Sequence, residues 1–167
     1  MNSPRFDPSR IFQVLTKHEV DYVVIGAMAA VLQGAGLTTT LDVDVAAAMG
    51  ETNRERLAAG LDELGARLRL PDPEETVKVP LDARMLANVS VMTFVTDFGP
   101  FDLLFTPAGA PPYEELKARA TKVTRFGVDI RVAAVEDIIA MKRAAGRKKD
   151  AIHLTILLDF LRDNERR

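Results

Sequence analysis

Apolar positions recur along the chain with two different periods, and each period predicts a different kind of element. Residues 21–26 (DYVVIG) form a short β-branched run closed by glycine, which is typical of a buried strand. Residues 27–33 (AMAAVLQ) follow with a strong helical preference. In residues 41–47 (LDVDVAA) apolar side chains alternate with Asp42 and Asp44, which predicts a strand with one apolar face and one acidic face.

Beyond these segments, the pattern predicts helices near both ends of the chain and short strands between them. Ser9 is expected to cap a first helix and Thr52 to open another, and from Ala133 onward the chain is predicted to be helical with a break at Gly146. Strands are expected at residues 76–79, 89–95, 101–105, 122–125 and 128–132, with turns at 99–100 and 126–127. The predicted fold class is α+β: a small mixed β-sheet flanked by helices, with a helical C-terminal tail.

The length and composition of the chain predict one globular domain. Its 167 residues fit a single unit with a core at residues 20–133 and a helical C-terminal part at residues 134–167. Apolar residues make up 47% and charged residues 28%, the balance of a soluble protein. The first residues carry no apolar run behind their charges, so we expect no signal peptide, no membrane span and a cytoplasmic location.

The polar composition restricts the metals and polyanions that the chain could bind. It has no cysteine and only two histidines, which excludes Cys-ligated zinc or iron–sulfur sites and leaves hard cations held by oxygen: magnesium, manganese or calcium. The net charge is −2, yet five of the eight residues 142–149 (KRAAGRKK) are Lys or Arg. This local patch bears more on polyanion binding than the net charge does.

Asp42 and Asp44 give the strongest chemical signal in the sequence. The two-residue period of a strand places both carboxylates on one face, and two like charges so close resist ionising together unless a cation lies between them. Magnesium in phosphoryl transfer takes one or two carboxylates and completes its shell with nucleotide phosphates. Asp102, in the apolar run FDLLF, is a third candidate ligand and a candidate base for an attacking hydroxyl. The alternative is that these residues form the solvated face of an edge strand.

Gly26 precedes this acidic strand and ends the buried strand before it. In many phosphate sites a strand is followed by a glycine and then by the start of a helix, and this succession directs backbone N–H groups at the anion. The alternative is a tight turn in which small residues allow close packing. The strand–glycine–helix segment followed by the Asp42 and Asp44 pair indicates a phosphate and metal site more specifically than either feature does alone.

Four segments together resemble the nucleotidyltransferase superfamily related to DNA polymerase beta, in particular its AbiEii-like, DUF1814-type branch. VVIGAMAAVLQG resembles the branch's glycine-pair segment, with Gly26 at the first glycine and Ala27 at the second. TTTLDVD resembles its R-x-T-x-D-x-D segment, with Thr40, Asp42 and Asp44 matching and Thr38 where arginine is usual. EDIIAMK (136–142) and RKKD (147–150) resemble its E-x-x-x-x-x-K and R-x-K-D segments.

The resemblance implies a two-metal transfer of a nucleoside monophosphate from a nucleoside triphosphate (NTP). It implies magnesium or manganese on Asp42 and Asp44, with both residues and Lys142 in catalysis, and the strand pattern adds Asp102 to the expected metal ligands and catalytic residues. It implies nucleotide contacts from Gly26, Ala27, Thr40, Lys142, Lys149 and Asp150. The implied partners are an NTP, an acceptor such as transfer RNA and, because the branch includes toxins, a cognate antitoxin.

Other functions remain open at this point. The acceptor could be a small molecule or a protein side chain rather than a nucleic acid. The departures at Ala27 and Thr38 also suit a binding protein that has kept the fold and lost turnover. A magnesium-dependent phosphate hydrolase is a further alternative. The chain could therefore be a transferase, a hydrolase or a catalytically impaired binding protein.

Overall fold

A computed structural model describes residues 5–37, 40–72 and 74–167 of the chain. Its helices and strands follow one another in mixed order. They are, from the N-terminus, α1 (Pro8–Lys17), β1 (Tyr22–Ile25), α2 (Gly26–Leu32), β2 (Val43–Ala47), α3 (Glu51–Glu63), β3 (Arg67–Arg69), β4 (Thr76–Val77), a 3-10 helix (Met85–Asn88), β5 (Val91–Thr96), β6 (Gly99–Leu104), α4 (Tyr113–Arg119), β7 (Thr121–Arg125), β8 (Val128–Val132), α5 (Val135–Ala145) and α6 (Lys148–Glu165).

The strands of the described residues form one mixed sheet of eight strands in the order β4-β3-β5-β6-β2-β1-β8-β7. β2 lies in the interior of the sheet, antiparallel to β1 and parallel to β6. The remaining parallel pair is β1 with β8, and the hairpins β5–β6 and β7–β8 extend the sheet on either side. β2 therefore has a neighbour on each side and is not an edge strand.

The apolar face of β2 packs into the core, as its alternation predicts. Val43 and Val45 are fully buried, and their parallel partners Phe101 and Leu103 on β6 are fully buried with them. Pairing across strands puts partners on the same face, so the opposite face carries Asp44 and Asp102. α2 packs on β1 and β2 and against α5, which in turn packs against α6. This arrangement brings α5 and the start of α6 to the acidic face.

The predicted α+β class is confirmed, while several local expectations are wrong. The sheet is larger than expected, because the short exposed strand β3 was not predicted. α1 is capped by Asp7, whose Oδ1 accepts a hydrogen bond from the Ser9 backbone N–H at 3.1 Å, so Ser9 is not the cap. α3 begins at Glu51 rather than Thr52. The expected turn at 99–100 is part of β6, and the chain turns two residues earlier, at 97–98, where the Thr96 hydroxyl donates to the Gly99 carbonyl at 2.7 Å.

Among the described residues, no helix has both the length and the apolar composition that crossing a membrane requires.

Candidate active site

The three carboxylates singled out in the sequence converge on one face of the sheet. Asp44 on β2 and Asp102 on β6 are direct partners in the parallel register, and Asp42 stands two residues before Asp44. One carboxylate oxygen from each of the three residues lies within 4.8 Å of the others. Asp102 could join this group only because β6 lies beside β2, a pairing between strands far apart in sequence.

Gly26 opens α2 directly beside this group. Ile25, the last residue of β1, is the register partner of Asp44, so the chain turns into α2 at the level of that carboxylate. Gly26 adopts φ +68°, which a side chain disfavours, and a Cβ atom at this position would collide with Oδ2 of Asp44. Glycine is therefore required for close approach as well as for backbone conformation.

The surroundings of the carboxylates oppose their ionisation in the absence of a cation. Burial, together with the charges of Asp42 and Asp102, raises the pKa of Asp44 to about 7. Burial and the charge of Asp42 also raise the pKa of Asp102, although a hydrogen bond from Thr93 acts in the opposite direction. Two carboxyl groups in one site thus have raised pKa values, which is common at functional sites.

The donor set fits a hard divalent cation. Oδ1 of Asp44 is buried and has no hydrogen-bond partner among the described residues, which is costly for a carboxylate unless something else satisfies it. All three donors are carboxylate oxygens, the ligands preferred by magnesium and manganese. Because residue 26 has no side chain, the start of α2 can also lie directly against Oδ2 of Asp44. These residues fit a cation that also binds a phosphate oxygen.

A cavity of about 300 Å³ opens beside the carboxylates, and its walls bring acids and cations together. Gly26, Asp44 and Asp102 contribute from the sheet side, and Lys142 and Arg147 contribute from α5 and the turn after it. Lys142 is only 5% exposed. The Lys142 side chain thus reaches the same cavity as the acids, while Arg143, the next residue on α5, is exposed.

Asp150 pairs with the two positively charged side chains that line the cavity, Lys142 and Arg147. Its carboxylate, 1% exposed, accepts from Nε of Arg147 at 2.8 Å and lies 3.5 Å from Nζ of Lys142. Burial alone would raise the pKa of Asp150, but the side-chain and backbone hydrogen bonds of Arg147 hold it below the ordinary value. Nζ of Lys142 also lies 3.1 Å from Nδ1 of His153, and burial lowers the pKa of both groups. Lys142 is therefore fixed by Asp150 and His153 rather than paired with the acidic group.

The remaining residues expected at the site lie at different distances from it. The Thr40 hydroxyl is 3.2 Å from both the carbonyl and Oδ1 of Asp42 and so restrains that residue. Ala27 is half-buried in the first turn of α2. Lys149 is exposed on α6 and is outside the set of described residues that line the cavity. Thr38, the position at which the related branch usually has arginine, lies outside the described residues.

Arg147 belongs to the RKKD segment of the sequence resemblance but was not among the residues expected at the site. It lines the cavity, and the charges of Asp44 and Asp42 contribute, after the Asp150 hydrogen bond, to a raised pKa of its guanidinium. Asp150 also caps the start of α6, because the backbone N–H of Arg147 donates to Oδ2 of Asp150 at 3.2 Å and the backbone N–H of Asp150 donates to the Arg147 carbonyl at 3.0 Å. The spacing of three residues between a helix-capping position and an aspartate was the available signal.

Three solved structures share this architecture across nearly the whole chain. A candidate nucleotidyltransferase from Thermotoga maritima matches with a TM-score of 0.53 and 17% identity over 90% of this chain and 89% of its own. ANT(2″)-Ia in complex with adenylyl-2″-tobramycin matches with a TM-score of 0.58 and 14% identity over 91% of this chain and 86% of its own. The solution structure of ANT(2″)-Ia, described as an antibiotic-resistance factor, matches with a TM-score of 0.57 and 14% identity over 91% of this chain and 80% of its own.

No protein-family model matches this chain, and no curated protein sequence matches it. The structural likeness, at 14–17% identity, shows the fold alone. The protein thus has the nucleotidyltransferase fold that the sequence resemblance predicted, with a group of three aspartates able to hold a metal ion.

Proposed function

We propose that this protein transfers a nucleoside monophosphate from an NTP to an acceptor hydroxyl, using a divalent cation, magnesium or manganese, held by Asp42, Asp44 and Asp102. The observation that carries the proposal is the convergence of three carboxylates around a buried, unpartnered oxygen of Asp44, among the described residues of a nucleotidyltransferase fold. A cation bound there would offset negative charge on the transferring phosphoryl group. Without a cation, the same convergence only destabilises the protein.

The residues of the cavity divide between phosphate binding and proton transfer in this proposal. Arg147 and Lys142 face the triphosphate, and Asp150 and His153 fix the position of Lys142. Gly26 lines the cavity beside Asp44, the backbone N–H of Ala27 would contact phosphate, and Thr40 restrains Asp42. Asp102, with its raised pKa, accepts the proton of the attacking hydroxyl. Lys149, exposed in the first turn of α6, would contact the acceptor or the outer phosphates.

The AbiEii-like resemblance extends the proposal to a transfer RNA acceptor and to a toxin that a cognate antitoxin neutralises. Its support is that Arg143, Lys148 and Lys149 are exposed and lie close in sequence to Arg147, which lines the cavity. Incubation of the protein with each labelled NTP, magnesium and either total RNA or total protein tests this acceptor. Label in RNA supports a nucleic-acid acceptor, and label in protein contradicts it.

Asp44→Ala is the decisive variant for the proposed reaction. It should abolish transfer while leaving the fold intact or more stable, because removing Asp44 relieves repulsion in the metal-free protein. Magnesium with an NTP should raise the melting temperature of the wild type, since both ligands bind only the folded state, and should hardly change that of the variant. An equal shift in both proteins would contradict the role of Asp44. The absence of a shift in the wild type with any NTP would favour a binding protein without turnover.

A further inference from the structure

A second cavity, of about 410 Å³, lies next to the first and differs from it in chemistry. It is formed by the end of β2, the loop between β6 and α4, and α4 itself. Among the described residues, those that line this cavity include no charged side chain, and most are apolar; they include Ala46, Met49, Phe105, Pro107, Tyr113 and Leu116. The volume is within the range of small-molecule sites.

The second cavity begins where the acidic group ends. Pro107 lines both cavities. Ala46 stands two residues after Asp44 on β2, so its side chain is on the same face of the sheet about 7 Å further along. Asp42 stands two residues before Asp44, in the other direction along the chain. A molecule in the second cavity would therefore meet a nucleotide in the first beside Asp44.

The walls of the second cavity are fixed by contacts to the rest of the protein. The Tyr113 hydroxyl donates to Oδ1 of Asp21 at 2.8 Å, and Nζ of Lys117 donates to Oδ2 of the same carboxylate at 2.8 Å. On the other side, Gly109 packs against α5 so closely that a Cβ atom would stand 2.6 Å from the Ala140 carbonyl oxygen. A preformed cavity binds its ligand with little ordering cost.

We propose that this second cavity is the acceptor subsite, and that it takes an uncharged, ring-containing group bearing the reacting hydroxyl. The proposal rests on the proposed function. A polycation would meet no counter-charge on the described walls, and a phosphate would meet no cation there. An uncharged ring would pack against Pro107, Met49 and Tyr113 and keep its hydroxyl at the carboxylates.

The reaction in this arrangement balances without a further reactant. The acceptor oxygen attacks the α-phosphorus of the NTP and forms a new phosphorus–oxygen bond. The bond from the α-phosphorus to the bridging oxygen breaks, and pyrophosphate leaves with the electron pair. The hydroxyl proton passes to Asp102. The acceptor ring stays in the second cavity, and the phosphates stay in the first.

Thr106 provides the test variant because it lines the second cavity and is exposed. Thr106→Trp should fill the cavity without disturbing the core, and Thr155→Trp, on an exposed position of α6, is the matched control. The readout is the methyl signals of Ala46 and Met49 in carbon–proton correlation spectra. The probes are benzyl alcohol and adenosine as uncharged rings with hydroxyls, and tobramycin as a polycation.

We expect benzyl alcohol and adenosine to shift both methyl signals in the wild type and in Thr155→Trp, and to shift neither in Thr106→Trp. Tobramycin should leave them unchanged. The proposal is overturned if the aromatic alcohols cause no shift, if Thr106→Trp responds like the control, or if tobramycin binds equally well. Displacement of benzyl alcohol by a short RNA with a free 3′-terminal nucleoside would identify an RNA end as the source of the ring. The lack of displacement would identify a free small molecule, and both results uphold the subsite.

The subsite and the proposed reaction can fail separately. Thr106→Trp should retain the full thermal shift with magnesium and an NTP, because Thr106 does not line the first cavity. If the aromatic probes bind but the wild type shows no response to any NTP, the transfer reaction fails and the cavity remains a binding site. If the wild type responds to an NTP but the methyl signals do not change with the probes, only the subsite fails.

Discussion

Asp44 is held where its charged form is unfavourable, and this makes the stability of the metal-free protein dependent on pH. Its carboxyl has a pKa of about 7 in the folded protein because of burial and the neighbouring Asp42 and Asp102, above the ordinary value to which it returns on unfolding. A carboxyl whose pKa is raised by folding keeps its proton to a higher pH in the folded state than in the unfolded state. The contribution of Asp44 to the unfolding free energy is therefore present at low pH and is lost as the pH rises through about 7.

Comparison with Asp44→Asn isolates this effect. Between pH 4 and pH 8 the metal-free wild type should lose roughly 2 kcal/mol or more of unfolding free energy relative to the variant, since each unit of pKa shift corresponds to about 1.4 kcal/mol. Denaturant unfolding at several pH values measures the difference. Magnesium should reduce this loss of unfolding free energy in the wild type. A constant difference across this range would mean that Asp44 is ionised throughout.

Lys142 and Arg143 are adjacent on α5 but face different surroundings, which makes them a matched pair. Lys142→Met should lower the rate of transfer at least tenfold, because it removes the buried cation of the cavity, whereas Arg143→Met should change it less than twofold. Initial rates at saturating NTP measure this contrast. Equal effects of the two changes would contradict the placement of Lys142 at the phosphates.

A site residue could be placed from the sequence when its neighbours at the site are close to it in sequence, and could not be placed when they are distant. Asp42 and Asp44 could be assigned to one face, because the period of a strand places them there. The Asp102 side chain could be proposed but not placed, since the β2–β6 pairing brings it in. Arg147 was given no role at the site, although its contact with Asp150 is local and three residues apart. What the sequence does not show is that α5 and α6 meet at Gly146 so that Arg147 lines the cavity of the carboxylates.

The junction of β1 and α2 is the element whose geometry most constrains the site. Gly26 and Gly34 both adopt positive φ, of 68° and 78°, but a Cβ at Gly34 would meet nothing within 4 Å, whereas one at Gly26 would meet Asp44. Alanine at either position therefore carries similar backbone strain, of about 1 kcal/mol. Only alanine at position 26 also displaces a carboxylate.

Gly26→Ala should consequently lose most of the thermal stabilisation by magnesium and an NTP, while Gly34→Ala should retain it despite a comparable loss of intrinsic stability. Melting temperatures with and without both ligands separate the two effects. If Gly26→Ala keeps the full response, the carboxylate adapts to the added methyl group and the close approach is not essential.

Elements with strong periodicity could be predicted, and short exposed ones could not. β1, β2 and the hairpin β7–β8 lie close to the expected residues because β-branched runs and turn residues define them. β3 has three residues, with arginine at both ends and Leu68 half-buried between them, so it carries no apolar face for a pattern to detect. It forms because β5 and β4 supply hydrogen-bonding partners on either side.

The distribution of charge over the whole molecule bears on whether RNA binds at one local group of cations or is attracted non-specifically. The net charge of −2 opposes general attraction of nucleic acid, so RNA binding would depend on the exposed cations Arg143, Lys148 and Lys149. Replacing all three by alanine should reduce the slope of log affinity for transfer RNA against log salt by about 2. Replacement of three exposed cations near the edge strands, namely Lys78, Lys122 and Arg125, is the control at equal net charge. A similar loss in both variants would indicate non-specific attraction.

The order of strands in the sheet also bears on how the protein is made. β1 and β2 are synthesised early and become central strands, but β1 pairs in parallel with β8, more than one hundred residues later, and β2 pairs with β6. The conformational entropy of closing loops of this length is lost before the paired strands gain any contact, and this slows folding. A nascent chain halted before β6 would leave the edge of the largely apolar strand β2 unpaired. The sheet can therefore be completed only after β6 and β8 have been synthesised, and chaperone dependence before that point should exceed that of a protein built from local hairpins.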